Sequence, residues 1–135
     1  MTFLQHNFFK KFIPFIILNW ISITGYTSGK VPVMVGGSTE IDACGSLGAV
    51  HGLPGKPNSF LAVRSGPDTK YTLIDRLYNG AQVYFCDTQG EWIGIVYQTS
   101  TQDCGVSSPL PKSQSYKGPC KSGWAHRKWL TVTAG

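Results

Sequence analysis

The sequence contains no segment in which leucine or alanine recurs at the three-to-four-residue spacing of an amphipathic helix. Charged residues are also sparse, at 14% of the 135 residues. In contrast, the 16 glycines, 8 prolines and 17 aromatic residues (4 Trp, 6 Tyr and 7 Phe) favour short strands and tight turns. A chain of this length forms one compact domain. The composition therefore predicts a single all-β domain.

The residue groupings on which most enzyme chemistry depends are missing as well. No two cysteines have the C-x-x-C spacing of a zinc or thioredoxin-like site. The nearest Cys–His pair, Cys120 and His126, would lie about 20 Å apart in an extended strand. Three carboxylates, Asp68, Asp75 and Asp87, fall in different predicted loops and strands and do not form a glycosidase pair. We therefore expect a protein that is not an enzyme and has no metal and no cofactor.

Acidic residues are absent from the C-terminal part of the chain. The segment from Cys104 to the end carries five cations and no acid, whereas residues 26–103 carry five cations and seven acids. A basic end favours an anionic partner, such as nucleic acid, lipid headgroups or a wall polymer. The alternative is a solubilising face on an ordinary secreted domain.

The segment "KSGWAHRKWL" (residues 121–130) lies in this basic end and combines two indoles with three cations and a histidine. Such a mixture can stack on bases and neutralise phosphates, as in the binding of single-stranded nucleic acid. The same residues also suit the last strands of a small barrel. The composition of the segment leaves both interpretations open.

No apolar run reaches the roughly 20 residues that span a bilayer. The apolar run "FIPFIILNWISIT" (residues 12–24) follows two lysines and has about the length of a signal-peptide core. We predict that residues 1–25 are an export signal that is absent from the mature protein. An uncleaved N-terminal membrane anchor is the alternative.

The four cysteines, Cys44, Cys86, Cys104 and Cys120, all follow this segment. In an exported chain they are expected to form two disulfides, for which three pairings exist. A bond between Cys104 and Cys120 would close a loop of about 15 residues and contribute roughly 3 kcal/mol in the chain-entropy treatment. That pairing leaves Cys44 with Cys86. We predict both bonds.

Along the chain, short apolar segments alternate with turn residues. Residues 26–42 have no sustained pattern and are interpreted as a lead-in arm, and residues 101–120, with three prolines and four serines, are predicted to be loop. The predicted strands are "ACGSLGAVHGL", "FLAVR", "TLIDRLYNG", "AQVYFCD", "EWIGIVYQT" and "SGWAHRKWLTV". Strands of this length with turns between them indicate a small barrel.

The region from about residue 60 to residue 132 resembles the bacterial SH3 (SH3b) family. The positions that carry the resemblance are Leu61-x-Val63-Arg64-Ser65-Gly66-Pro67, Tyr71, Leu73-Ile74, Leu77, Gly80, Val83, Gly90-x-Trp92 and Val96. The family's G-W-V-x-x-x-Y-L segment corresponds to Gly123-Trp124-Ala125-His126-Arg127-Lys128-Trp129-Leu130. The flanking cysteine segments are similar to those of small exported proteobacterial proteins that contain an SH3 domain.

The resemblance implies an all-β, SH3-like barrel within residues 43–135. It also favours the strand interpretation of residues 121–130, with Trp124 and Leu130 in the core and His126, Arg127 and Lys128 facing solvent. We expect seven residues to be buried in one core: Leu61, Val63, Ile74, Val83, Trp92, Ile95 and Trp124.

One departure from the family pattern is the connection between Val96 and Gly123, which is a short hairpin in family members and about two dozen residues here. A long insertion at a hairpin tip costs little closure entropy, and long ordered loops are often functional. We therefore expect a disulfide-closed loop at residues 98–121 that carries specificity, with Leu110, Lys112 and Tyr116 among its candidate residues.

The resemblance implies a noncatalytic binding module of the periplasm or cell exterior that recognises a wall peptide, peptidoglycan or an envelope protein. SH3-like barrels bind extended peptides on aromatic surfaces. The candidate ligand-binding residues are Tyr71, Trp92, Tyr97, Lys112, Tyr116 and Lys117. Nucleic acid is not expected, and membrane contact is expected only if residues 1–25 remain attached. The alternative function is an inhibitor or immunity-type protein that docks on a toxin or hydrolase.

Overall fold

The computed structural model describes Pro14 and residues 29–135. The predicted export signal, apart from Pro14, therefore lies outside the described residues. In the described part, no helix is long and apolar enough to cross a membrane. The elements are β1 Met34–Val35, β2 Ser46–Val50, β3 Leu61–Arg64, β4 Leu73–Leu77, β5 Gln82–Gln89, β6 Trp92–Tyr97, β7 Gln114–Ser115, β8 Lys121–His126, a 3₁₀ turn Arg127–Trp129, and β9 Leu130–Ala134.

Seven of these strands form one antiparallel sheet in the order β4-β3-β8-β6-β5-β2-β9. Three strands lie between β3 and β2 in this order, yet side chains of both belong to the same apolar cluster, which shows that the sheet is strongly curled. The described part of the chain is thus nearly all-β with an SH3-like fold, as the sequence predicted.

The β5–β6 hairpin shows how local sequence sets this topology. Gln89 pairs with Trp92, so only two residues form the turn. The first of them, Gly90, has φ +58°, the left-handed value that a tight hairpin requires and that glycine adopts without steric cost. This turn therefore places Trp92, the first residue of β6, at one end of the barrel.

The inner core lies inside the curl of the sheet. It contains inward-facing residues from β2, β3, β5, β6 and β8: Val50, Leu61, Val63, Val83, Ile93, Ile95, Tyr97 and Ala125, together with Leu53. Four of the seven predicted core residues lie here, namely Leu61, Val63, Val83 and Ile95.

Three of the predicted core residues lie elsewhere. Ile74 is 46% exposed, because β4 is an edge strand of the sheet. Trp92 is half-buried at the start of β6. Trp124 is 0% exposed, but it lies on the opposite face of the sheet. Side chains alternate along a strand, and its neighbour Ala125 already faces the inner core. The expectation of one core for all seven residues was therefore wrong.

An outer layer, residues 29–37 and 98–120, covers the face of the sheet on which Trp124 lies. The sequence predicted an arm and a loop here, but each segment contributes a two-residue strand, and Met34 of β1 pairs with Ser115 of β7. The Trp124 Nε1–H donates to the carbonyl of Val31 over 2.8 Å. A second apolar cluster fills the layer: Val35, Ala43, Cys44, Val96, Cys104 and Val106.

Both predicted disulfides are present. Cys44–Cys86 links the segment before β2 to β5, and Cys104–Cys120 closes the inserted loop. All four cysteines belong to the outer cluster or pack against it, and none belongs to the inner core. The disulfides therefore hold the outer layer against the sheet.

Removing the Cys104–Cys120 bond by a double change to serine is expected to lower the free energy of unfolding by about 3 kcal/mol, because the unfolded loop is no longer constrained. Urea denaturation measures this loss, and Lys112→Ser, an exposed change in the same loop, is the control. Removal of Cys44–Cys86, which closes a longer loop, is expected to cost about 4 kcal/mol. Equal stability of the wild type and the first double variant would contradict the prediction.

Candidate functional site

The structure separates the six predicted ligand-binding residues into several places. Tyr71 lies in the 65–72 loop, where a side chain at Gly66 would collide with its ring. Its carbonyl accepts a hydrogen bond of 3.0 Å from the Arg64 Nη1. The Lys70 ammonium lies 5.9 Å from the centre of the ring. The Tyr71 ring thus packs on Gly66 within the loop, and the Tyr71 carbonyl holds the Arg64 side chain.

Tyr97 and Tyr116 line a shared depression of about 280 Å³, together with Lys30, Lys121 and Ser122. Both hydroxyls already have partners within the protein. The Tyr97 hydroxyl donates to Asp75 Oδ2 over 2.9 Å, and the Tyr116 hydroxyl donates to the carbonyl of Cys104 over 2.8 Å. Burial and the adjacent Asp75 carboxylate raise the pKa of Tyr97 well above its ordinary value. Tyr97, which is 2% exposed and belongs to the inner core, therefore offers a ligand little surface, and the half-buried Tyr116 offers more.

The carboxylate of Asp75 accepts hydrogen bonds from the Tyr97 hydroxyl and the Lys121 ammonium. Partial burial raises the pKa of Asp75, but the Arg76 backbone N–H, the Tyr97 hydroxyl and Lys121 together lower it below 3.8. A lowered pKa means that this carboxylate stabilises the fold above pH 3.8 and that the contribution is lost as the pH falls through the lower, folded value.

We expect Asp75→Asn to lower the free energy of unfolding by about 1 to 2 kcal/mol at pH 6, because it removes a charged hydrogen-bond acceptor. The difference from the wild type should shrink as the pH falls below 3.8 and vanish once the pH passes the lower pKa of the folded state, where the carboxylate is neutral in both states. Urea denaturation at pH 6 and pH 3 tests this, with Tyr97→Phe as the variant that removes only the hydroxyl. A difference that grows on acidification would contradict the assignment.

The two predicted lysines of the loop, Lys112 and Lys117, are exposed on the outer layer. Lys117 borders a cavity of about 220 Å³ whose apolar walls include Val35, Val106 and Leu110. These residues share the outer layer with Tyr116, so the structure brings part of the predicted loop site together.

Trp92 belongs to a different surface, which we call the aromatic groove. The groove has a volume of about 280 Å³ and is lined by Phe60, Leu61, Ala62, Arg64, Thr69, Trp92, His126 and Trp129. Trp92 begins β6 and His126 ends β8, and the two residues are direct neighbours in the sheet. Their rings meet edge to face with centres 5.4 Å apart. The aromatic groove therefore lies at one end of the barrel, beside the 65–72 loop.

The 3₁₀ turn after β8 ends with Trp129, the second tryptophan that lines the groove. His126 begins the turn, and its Nδ1 accepts a hydrogen bond of 3.1 Å from the backbone N–H of Lys128. The carbonyl of Trp129 accepts from the backbone N–H of His51 over 2.9 Å. These contacts fix the main chain of Trp129 beside the groove, and its indole lines the groove together with that of Trp92.

Cations border the aromatic groove. The Arg76 guanidinium lies 5.0 Å from the centre of the Phe60 ring, and the Lys128 ammonium lies 4.8 Å from the Trp129 ring. Arg64 belongs to the lining itself, and no lining residue is acidic. The groove thus combines aromatic rings with positive charge.

The structure resolves the two interpretations of residues 121–130. The segment is β8, the 3₁₀ turn and the start of β9, with Leu130 half-buried against the inner core and Arg127 and Lys128 exposed. His126, which was expected to face solvent, is half-buried in the aromatic groove. The segment is therefore part of the barrel, and its His126 and Trp129 also line a concave surface.

Sequence reasoning missed Phe60, Arg64, His126 and Trp129 as groove residues. The available signal was a pair of aromatic residues, Phe60 at the start of the predicted strand "FLAVR" and Trp129 within the predicted strand "SGWAHRKWLTV". Within the described residues, no group of three or more His, Cys, Asp or Glu side chains is arranged to hold a metal ion.

The bacterial SH3 domain family model matches residues 59–131. This chain belongs to the bacterial SH3 domain family. The matched segment contains every lining residue of the aromatic groove, whereas residues 29–37 of the outer layer precede it. No curated protein and no solved structure shows significant similarity to the chain. Because bacterial SH3 domains commonly bind peptidoglycan or other cell-wall material, membership in the family indicates a wall-binding module.

Proposed function

We propose that this bacterial SH3 domain is a noncatalytic binding module of the cell envelope that holds a wall-associated peptide in the aromatic groove. The observation that supports the proposal is the convergence of Phe60, Trp92 and Trp129 around one concavity. Aromatic-lined grooves of SH3-like barrels accept extended peptides.

The size of the groove limits what it accepts. A volume of about 280 Å³ is at the lower end of typical small-molecule sites and corresponds to a short peptide segment. Phe60 remains 38% exposed, so a ligand that covers its ring gains apolar contact without a change in the fold. The groove therefore suits a few residues of a wall peptide better than a large folded partner.

The proposal includes export of the protein to the periplasm or cell exterior. Two disulfides within the described residues support an oxidising compartment. Removal of residues 1–25 as a signal belongs to the same proposal, and mass analysis of exported material tests it through the presence or absence of Met1.

Binding to purified sacculi tests the proposed function directly. We expect the protein to co-sediment with sacculi in a saturable way, and soluble muropeptides to compete and to change the tryptophan emission, since two indoles line the groove. Absence of both co-sedimentation and an emission change would contradict the proposal.

A second candidate function is supported by the outer layer. The disulfide-closed loop carries the exposed Lys112, and its Tyr116 and Lys117 line the cavity of about 220 Å³. A rigid surface of this kind suits an inhibitor or immunity-type protein that docks on a toxin or hydrolase. For this function, Lys112→Glu with Lys117→Glu should abolish capture of a partner from periplasmic extract and leave binding to sacculi unchanged. Capture of the partner that is unchanged by these two substitutions would contradict this second function.

A further inference from the structure

Arg64 combines burial with an incomplete set of partners. It is the last residue of β3 and is half-buried in the lining of the aromatic groove. Its Nη1 donates to the carbonyl of Tyr71 over 3.0 Å, whereas its buried Nε–H has no hydrogen-bond partner among the described residues. A guanidinium has five N–H donors, and the Tyr71 carbonyl is the one acceptor that the described residues provide for Arg64.

No carboxylate of the described chain neutralises Arg64. The ion pairs among the described residues are Lys121–Asp75 and Arg127–Glu91. A partly desolvated cation is unfavourable unless an anion accompanies it. The free protein therefore carries an uncompensated positive charge in the wall of the aromatic groove.

The acids nearest in sequence to the groove residues are already engaged elsewhere. The Asp68 carboxylate accepts from the Lys70 backbone N–H over 3.0 Å and from the Thr69 hydroxyl, and so folds back into its own loop. The Glu91 carboxylate lies 3.7 Å from the Arg127 guanidinium. The electrostatic character of the groove is thus set by Arg64 and by the cations stacked at its border.

We propose that the ligand of the aromatic groove carries a carboxylate that pairs with the Arg64 guanidinium. The ligand class is a peptide with an acidic side chain or a free C-terminal carboxylate, seated with its apolar part against Trp92 and Trp129. A planar carboxylate matches the fork of a guanidinium and can accept two parallel hydrogen bonds. This inference rests on the proposed function and adds the charge of the ligand to it.

Chemical modification of the ligand tests the inference without changing the protein. Sacculi are prepared in two forms, one native and one in which the carboxylates are converted to methylamides. We expect the wild-type protein to bind the amidated sacculi at least about 20-fold more weakly, the size of effect seen when one partner of a partly buried charge pair is lost.

Two variants assign that preference to one residue. Arg64→Gln keeps the aromatic rings of the groove and should bind native and amidated sacculi equally weakly. Lys56→Gln removes an exposed cation that belongs to neither ion pair of the described residues and lies outside the groove lining, and it should keep the wild-type preference. Arg64→Lys keeps the charge without the fork of the guanidinium and should recover only part of the affinity. Thermal unfolding of each variant separates a loss of binding from a loss of the fold.

The possible results separate the inference from the proposed function. Equal binding of native and amidated sacculi by the wild type overturns the carboxylate inference and leaves the wall-binding function standing. A full preference retained by folded Arg64→Gln, or lost equally by Lys56→Gln, also overturns it, because the preference would then reflect the overall charge of the protein and not Arg64. Failure to bind either preparation overturns both the proposed function and the inference.

Discussion

Replacing Trp124 by alanine is expected to lower the free energy of unfolding by about 3 to 5 kcal/mol, the range for removing a fully buried tryptophan. Trp124 is 0% exposed and has the largest side chain among the fully buried residues. Its ring packs against Gly94 of β6. A side chain at Gly94 would contact both Trp124 and Val33. The alanine variant would leave a cavity between the sheet and the outer layer, which the disulfides prevent from closing.

Trp124→Phe separates the packing of the ring from its hydrogen bond. Phenylalanine keeps most of the apolar contact but leaves the carbonyl of Val31 without the indole donor, so we expect a loss of about 1 to 2 kcal/mol. Limited proteolysis should then cleave residues 29–37 sooner than in the wild type, because this contact helps to hold the segment on the sheet. Urea denaturation giving the same stability for the wild type and Trp124→Ala would show that Trp124 is not a packing residue.

Much of the fold was predictable because its signals are local. Turn residues mark the ends of β3, β4, β5 and β6, and apolar side chains within those strands recur at the spacing of the family. The disulfides were predictable from loop size and elimination once the chain was taken as exported. The inner-core residues Val63, Val83 and Ile95 follow from the same pattern.

The outer layer was not predictable from local signals. Strands β1 and β7 have two residues each, and the pairing of Met34 with Ser115 joins segments 81 residues apart. Two residues are too few to show an alternating pattern, so both segments resemble loops in the sequence. The prediction that Trp124 belongs to the inner core failed for the same reason. Nothing in the local sequence indicates that residues 29–37 cover the other face of the sheet.

The aromatic groove was only partly predictable, because it is formed by three distant segments. Trp92 was identified from the family pattern, but Phe60 and Trp129 reach it only through the curl of the sheet and the 3₁₀ turn. Conversely, Tyr97 and Tyr116 were predicted to bind a ligand because they are aromatic residues in or next to the inserted loop. In the structure their hydroxyls already have partners within the protein. Composition shows which residues are available for binding, and only the fold shows which of them are already engaged.

Replacing Trp129 by alanine is expected to weaken binding to sacculi at least about 30-fold, as for a central aromatic residue of a binding surface. The ring forms one wall of the aromatic groove and also carries the Lys128 ammonium at 4.8 Å. Its loss therefore removes both an apolar contact and the support for a border cation. The 3₁₀ turn should persist, because it is held by main-chain contacts of Trp129 and by the Nδ1 of His126.

Tyr78→Ala is the matched control, since Tyr78 is an aromatic residue that is 54% exposed and does not belong to the groove lining. Co-sedimentation with sacculi over a range of protein concentrations gives the affinities, and thermal unfolding confirms that both variants are folded at the temperature of the assay. We expect Tyr78→Ala to bind like the wild type and Trp92→Ala to bind as weakly as Trp129→Ala. If folded Trp129→Ala keeps wild-type affinity while the lysine changes in the 98–121 loop reduce it, the ligand binds the outer layer and not the aromatic groove.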